Sequence, residues 1–276
     1  MNKTKIEWCD ATWNPVTGCL HGCPYCYARS VAHRFGLPFA PKLGDPGMEG
    51  ASKYDSPEGM DTMLELEKPY IRDGRVQPFP MEFLPTFHRY RLKEPQRKKP
   101  QTIFVCSMAD LFGEWVPDDW IKAVFDACSE APQHNYLFLT KAPDRYNDLD
   151  AKGLLPQDKN FWYGASATTA FQMEKAADAF GQLSSRTRTF LSMEPLLEDI
   201  AESAGWTYAE NGAYANWIII GAMTGSGSKK SKPKRAWIEK IVKDCAFRNV
   251  PVFMKGSLAE IWGEELIQQF PWDRLD

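Results

Sequence analysis

Two kinds of run recur along this chain. The first is short and almost wholly apolar: Thr102-Ile-Phe-Val-Cys106, Tyr136-Leu-Phe-Leu139, Phe161-Trp-Tyr-Gly-Ala165, Thr189-Phe-Leu-Ser192, Trp217-Ile-Ile-Ile220 and Val250-Pro-Val-Phe-Met254. Continuous apolar runs of this length mark parallel strands covered on both faces. Two more strands are expected at Ile6 to Val16 and at Met81 to Phe87. The second kind has helical spacing. From Pro117 to Ser129, Trp120, Ile121, Val124, Phe125 and Cys128 make one stripe, with Asp118 and Asp119 at the positive end of the helix dipole. From Arg235 to Cys245, Trp237, Ile238, Ile241, Val242 and Cys245 do the same. Thr169 to Phe180 is a third helix, ended by Gly181, and Tyr27 to Phe35 a fourth, closed by Gly36. Strands alternating with helices predict βα units and a parallel sheet. The expected fold is therefore α/β, a (βα) barrel of TIM type, complete or partial. An open doubly wound sheet ranks lower, because no Gly-rich dinucleotide loop follows a strand.

One stretch breaks the pattern. Residues 37–80 are rich in Pro and Gly, as in Leu-Gly-Asp-Pro-Gly47 and Arg-Asp-Gly74, and carry little periodicity. They read as an irregular insertion in a single domain spanning 1–276, either a lid or a surface excursion, with a short helix at Met60 to Glu67.

Composition narrows the class. With 43% hydrophobic and 25% charged residues, the chain can bury a substantial core. A net charge of −3 supplies no global basic field, so any nucleic-acid site must be local. Met1 to Trp8 lacks the apolar core of a signal peptide, and Trp217-Ile-Ile-Ile220 is far too short to cross a bilayer. No membrane association and a cytoplasmic location are expected. Seven cysteines, an odd count in a chain of 276 residues, argue against a disulfide scaffold.

The distribution of those cysteines carries the chemistry. Cys19, Cys23 and Cys26 are spaced C-x3-C-x2-C within Thr17-Gly-Cys-Leu-His-Gly-Cys-Pro-Tyr-Cys-Tyr27. Three close-set thiolates make a metal site with one coordination position open. An iron–sulfur cluster is normally held by cysteine thiolates. Gly18 and Gly22 allow close approach of backbone to cluster, and Pro24 stiffens the last arc. A structural zinc site would need a fourth ligand such as His21, Cys9 or Cys106. The scattered Cys128 and Cys245 read as small core hydrophobes.

Reacting groups of parallel barrels sit at the C-terminal ends of strands. Here those ends offer His88; Ser107 and Asp110; Thr140 and Lys141; Ser166; Glu194; and Lys255. Glu194, an acid at a strand end before Pro195, and Lys141, directly after an apolar strand, are the candidate catalytic pair. Asp110 and Lys255 are candidate substrate contacts. A further candidate is Gly225-Ser-Gly-Ser-Lys-Lys-Ser-Lys-Pro-Lys-Arg235, whose Lys229, Lys230, Lys232, Lys234 and Arg235 could hold a phosphate backbone.

The cysteine spacing, with aromatic Tyr25 before the last thiol, resembles the signature of the radical S-adenosylmethionine (radical SAM) enzymes. The resemblance implies a [4Fe–4S] cluster on Cys19, Cys23 and Cys26, with S-adenosylmethionine chelated by the open iron. It further implies reductive cleavage to a 5′-deoxyadenosyl radical, and an electron donor such as flavodoxin or ferredoxin. It also implies places for the cofactor: Tyr25 near the adenine, Thr140 and Lys141 at the ribose or carboxylate, and Ser166 near the adenine. Thr86-Phe87-His88-Arg89 stands where such barrels usually have Gly-Gly-Glu, and Ser107 belongs with the same set. A wider set of motifs is similar to an uncharacterised phage- and bacteria-encoded family related to these barrels. The motifs include Trp-Asn-Pro-Val-Thr-Gly-Cys19, Phe-Leu-Thr-Lys141, Phe-Leu-Ser-Met-Glu-Pro-Leu-Leu197 and Trp-Ile-Ile-Ile-Gly221. That likeness points to a bacterial or phage-infected cell. With the basic segment, it makes a nucleotide or a DNA or RNA base the leading substrate class. The alternatives are a peptide or metabolite substrate, or a non-enzymatic metal protein that binds nucleic acid.

Overall fold

The computed structural model describes residues 1–36, 48, 51–54, 63–202, 215–225, 228, 231–234 and 235–274. The chain forms two compact units. One comprises Met1–Lys5 and Cys9–Phe138, the other Ile6–Trp8 and Leu139–Asp276.

The described strands of the first unit belong to three sheets. Its strands are β1 (Asn2–Lys3), β2 (Ala11–Trp13), β3 (Val16–Thr17), β4 (Ala51–Tyr54), β5 (Met63–Leu66), β6 (Ile71–Arg72), β7 (Arg75–Val76), β8 (Thr86–His88), β9 (Thr102–Val105) and β10 (Asn135–Thr140). The division between units falls within β10. β2 runs parallel to β9, pairing Trp13 with Val105, and β9 runs parallel to β10. β1 lies antiparallel on the outer edge of β2. A smaller sheet has the order β3-β8-β5-β4. Helices α1 (Tyr27–Phe35) and α2 (Asp118–Ser129) complete the unit. The expected apolar stripe of α2, Trp120, Ile121, Val124, Phe125 and Cys128, is buried throughout. It packs on β8 and β10: the Trp120 ring meets Phe87, and Phe125 meets Phe138 edge-on at 5.3 Å.

Two expectations fail in this unit. No helix spans Met60 to Glu67; of that stretch the described part is strand β5, buried on Met63, Leu64 and Leu66. Its backbone pairs on both sides, antiparallel to β4 and parallel to β8, and those ladders outweigh the local helical preference of Met, Leu and Glu. The segment Met81 to Phe87 is not a strand along its length. Leu84 N–H donates to Met81 O at 2.9 Å in a turn where Glu82 has φ +54, and only Thr86–His88 is extended. That strand joins the smaller sheet, so β2 and β9 are direct neighbours. The 37–80 segment is therefore less irregular than expected where described. β4 and β5 lie in a sheet, and β6 and β7 form a hairpin across Asp73-Gly74, both with positive φ. The rest of it, 37–47, 49–50 and 55–62, lies outside the described residues.

The second unit repeats strand and helix. α3 (Asp144–Ala151), β11 (Phe161–Ser166), α4 (Ala170–Gln182), β12 (Arg188–Met193), β13 (Ile218–Ile220), α5 (Arg235–Phe247), β14 (Val252–Met254) and α6 (Ala259–Trp262) follow in order. β11, β12, β13 and β14 are neighbours in that sequence, each pair parallel. Thr169 caps α4, its Oγ1 accepting from Gln172 N–H at 3.3 Å; Gly181 lies inside the helix rather than ending it. An aromatic core gathers Trp217, Phe253, Phe270 and Trp272, with the Trp8 ring 6.5 Å from Trp217. Both units are thus α/β; the strand pairs of the second are parallel, and the first mixes parallel with antiparallel pairs. No helix among the described residues is long and apolar enough to cross a membrane.

Candidate functional site

The cysteine loop is built where β2 and β9 end. Cys106 N–H donates to Trp13 O at 2.8 Å, and Cys106 then adopts φ +58, which turns the chain after β9. Asn14 ties the two strand ends together. Its Oδ1 accepts from Met108 N–H at 3.0 Å and from the Ser107 hydroxyl at 3.2 Å, while its own carbonyl accepts from Arg91 at 2.8 Å. Gly18 continues the join, donating to Met108 O at 2.9 Å. It has φ +89, and a Cβ there would lie 2.1 Å from Leu84 O. Only glycine passes beneath that carbonyl, and the next residue is Cys19. Cys19 N–H donates to Phe83 O at 3.0 Å, and its carbonyl accepts from Arg29 Nη2 at 3.3 Å.

Cys26 sits at the N-terminus of α1. Its Sγ accepts from Arg29 N–H at 3.3 Å, and its own N–H donates to Cys23 O at 3.2 Å. A helix N-terminus favours a thiolate. The inner face of α1, Ala28 and Ala32, packs with Phe79 and Phe83, and Cys19, Cys26 and Met108 lie against this cluster. Burial pushes the Cys19 thiol up to about 12; the charges of Asp110, Cys23 and Cys26 add to the shift, and the His21 backbone N–H opposes it. Burial thus disfavours a bare thiolate at Cys19.

The donor set can be tested against a metal. Among the described residues, no three His, Cys, Asp or Glu side chains converge to hold a single ion. Tetrahedral zinc needs all its sulfurs about 2.3 Å from one point. In a cluster each thiolate binds a different iron, so the thiols need only face a common space. His21 Nε2 lies 2.7 Å from Asp110 Oδ2, which leaves Nδ1 on the other side of the ring, and the ring meets Trp115 edge-on at 4.9 Å. Cys106 is buried, and burial pushes its thiol up to about 12. Three free thiols within eight residues can supply the three thiolates of a cluster.

The other expected residues of this unit have definite places. Tyr25 is half-buried beside Cys26. Ser107 is spent on Asn14, and its carbonyl accepts from the Tyr27 hydroxyl at 2.7 Å. Asp110 is buried with both oxygens engaged, Oδ1 accepting from Phe112 N–H at 3.1 Å. It positions His21. His88, wholly buried at the end of β8, bridges Thr17 Oγ1 at 2.9 Å and the Tyr90 hydroxyl at 3.3 Å. Burial, reinforced by Arg91, holds its pKa well below the usual histidine value.

The second unit has its own polar centre. Glu194 follows β12 and Lys255 follows β14. Lys255 Nζ donates to Glu194 Oε2 at 2.8 Å, and Trp8 Nε1 donates to Oε1 at 3.2 Å. Burial raises the Glu194 pKa even though Lys255 and Trp8 act to lower it. Thr140 is buried and accepts from Ala142 N–H at 2.9 Å; Lys141 and Ser166 are half-buried at the ends of β10 and β11.

Of the basic segment, Lys229 and Lys230 lie outside the described residues. Lys232 pairs with Glu260 at 3.2 Å, and Lys234 lies over the Trp237 ring. Arg235 pairs with Glu239 at 2.7 Å and Glu264 at 2.5 Å, donates to Trp262 O at 2.6 Å and stacks on that indole. Arg235 therefore anchors α6 to α5. Trp8, Asn14 and Arg29 were not among the expected site residues. Trp8 is recognisable only through its partner Glu194, far away in the chain. Asn14, in Asn14-Pro15, looked like a turn residue, and in fact its side chain joins two strand ends.

No curated protein and no solved structure matches this chain. A family model described as "Protein of unknown function (DUF5131)" matches residues 3–268. That match takes in both units and every candidate residue discussed above, and the chain belongs to the DUF5131 family.

Proposed function

We propose that this protein is a radical SAM enzyme whose [4Fe–4S] cluster is held by Cys19, Cys23 and Cys26. The observation that carries the reading is the loop itself. It leaves the end of the first parallel strand and carries three free thiols within eight residues, Cys26 at the N-terminus of α1. When bound, the cluster and S-adenosylmethionine supply a one-electron cleavage that yields a 5′-deoxyadenosyl radical for hydrogen abstraction.

The chain's own residues prepare for this. The Arg29 N–H donates to Cys26 Sγ at 3.3 Å and orients it at the N-terminus of α1. Phe79, Phe83 and Met108 form an apolar wall beside Cys19 and Cys26. Tyr25 is placed for the adenine, and Glu194 and Lys141 are the proposed groups on the substrate side. In this reading the parallel strands make a (βα) barrel, complete or partial, and a flavodoxin- or ferredoxin-like donor reduces the cluster.

For the substrate we take a nucleotide or nucleic-acid base, on the basic run 229–235. Lys232 and Lys234 are exposed and available to phosphate at the expense of weak surface contacts, whereas Arg235, also exposed, is held by Glu239, Glu264 and the Trp262 carbonyl. If these lysines meet phosphate, Lys232→Ser with Lys234→Ser flattens the salt dependence of polynucleotide binding.

Anaerobic reconstitution tests the central claim. The protein should hold one four-iron cluster and, with dithionite, convert S-adenosylmethionine to 5′-deoxyadenosine and methionine. Cys19→Ala, Cys23→Ala and Cys26→Ala should each abolish the cluster, while Cys9→Ala and Cys245→Ala keep it. Stoichiometric zinc without iron after anaerobic preparation would refute the reading, and so would S-adenosylhomocysteine as the sole product.

A further inference from the structure

The Glu194–Lys255 pair does not behave like a core ion pair or a surface one. Protein surrounds it closely enough for burial to dominate the carboxyl's acidity. Solvent nonetheless reaches 19% of the Glu194 side chain and 23% of Lys255. The pair is packed by protein yet remains open to solvent.

The pair is held rigidly at its roots. Glu194 and Lys255 leave the strands on either side of β13 and meet above its end. Lys255 N–H donates to Ile220 O at 2.9 Å, Gly221 N–H to Met193 O at 3.2 Å, and Leu196 N–H to Gly221 O at 2.9 Å. The two stems lie flat over Gly221. A Cβ at that position would come 3.0 Å from Glu194 Cγ and 3.1 Å from Lys255 Cδ, so any larger residue would push the pair apart. Trp8 fixes the second carboxylate oxygen, and its own ring is locked against Phe190 and Trp217.

As a purely structural device this arrangement is poor. Removing two charges from water commonly costs more than their attraction returns, and apolar residues of similar size do as well or better. Its chemistry suits recognition. Each carboxylate oxygen keeps a lone pair, and the ammonium keeps N–H groups beyond the one given to Glu194. Acceptor and donor stand side by side with their charges mutually cancelled. Such a pair discriminates against a bare anion or cation and favours a neutral group with a donor beside an acceptor. A trans peptide bond puts its N–H and C=O on opposite sides and cannot satisfy both. The Watson–Crick edge of a nucleobase can.

We propose that Glu194 and Lys255 form a nucleobase-binding site, Glu194 accepting from an N–H of the base edge and Lys255 donating to its neighbouring acceptor. This rests on the nucleic-acid reading above and makes it specific: the pair recognises the base, not the phosphate.

Uridine and 3-methyluridine test it, since they share ring and ribose and differ in the one N–H of the edge. Titration of the cluster-loaded protein, followed by calorimetry, should show uridine binding at least tenfold more tightly than 3-methyluridine. Glu194→Met removes the acceptor, so it should abolish the preference, and Glu194→Gln should reduce it; Lys255→Met keeps the stem over Gly221 and removes the donor, so it should weaken both nucleosides alike, and Lys255→Arg should retain part of that affinity. Melting curves of each variant confirm folding, and the parent comparison decides the matter even if a variant fails to fold. Equal binding of the two nucleosides, binding of neither, a preference that survives Glu194→Met, unchanged uridine binding by Lys255→Met, or tighter binding of the primary amide N-acetylglutamine amide overturns the proposal. Cleavage of S-adenosylmethionine by the parent is read separately. A parent that prefers uridine but does not cleave it keeps this site and loses the enzyme reading, and a parent that cleaves without the preference does the reverse.

Discussion

Gly18 and Gly22 flank the first thiol and both have positive φ, yet alanine should affect them very differently. At Gly22, φ is +68 and a Cβ would meet nothing within 4 Å. The cost is that of a left-handed backbone for an L-residue, about 1–2 kcal/mol, offset in part by lower entropy of the unfolded chain. At Gly18, φ is +89 and the new Cβ would sit 2.1 Å from Leu84 O and 2.8 Å from Phe83 O. Both obstacles are backbone and cannot swing aside. Relief means moving the 83–84 turn away from the loop. That loosens Gly18 N–H to Met108 O and Cys19 N–H to Phe83 O. Two such bonds, at about 1 kcal/mol each, bring the expected loss for Gly18→Ala to about 3–4 kcal/mol. For a chain of this size, about 2–4 °C of melting temperature per kcal/mol predicts a drop of roughly 6–16 °C at Gly18 and only a few degrees at Gly22. Far-UV circular dichroism melts of the metal-free variants measure this, and iron content after reconstitution reports whether Cys19 is still presented. If Gly18→Ala melts within about 2 °C of the parent and loads iron normally, the close-approach argument is wrong.

Other outcomes follow from the buried polar groups. His88 has a folded pKa well below the 6.5 of the exposed imidazole. Below that value the unfolded chain takes up a proton that the folded chain refuses, so stability should fall with pH below about 6.5, by at most about 1.4 kcal/mol per unit. Urea denaturation at pH 7.5 and 5.5 should show this, and His88→Gln should flatten it; an unchanged slope in the variant assigns the effect to another group. Arg235→Ser should lower the melting temperature of the protein by freeing α6 from α5, without changing the salt dependence of polynucleotide binding. A flatter salt dependence in that variant would return Arg235 to the phosphate-binding set.

What was legible in the sequence was local or periodic. The stripe of α2 emerged as expected because its burial is decided by residues three and four apart on one helix. The apolar runs from Thr102 onward became parallel strands because each run is short, continuous and covered on both faces. The cysteine loop was legible because its three donors lie within eight residues, so spacing alone brings them near one another.

Partnership across the chain was decided only in three dimensions. Nothing in Met81 to Phe87 says which sheet its last residues join; the Glu82 turn and the ladders to β3 and β5 settle it. Met60 to Glu67 has the residues of a helix, and two neighbouring strands turn its described part into a third. Arg235 looked like one of five cations in a basic run, because composition counts charges without distances; two glutamates and an indole claim it. Glu194 was marked by its place at a strand end, but its character comes from Lys255 and from Trp8, a residue 186 positions away. Hydrogen bonds, clashes and ion pairs act over a few ångströms of space whatever the separation along the chain, and only the folded backbone sets those distances.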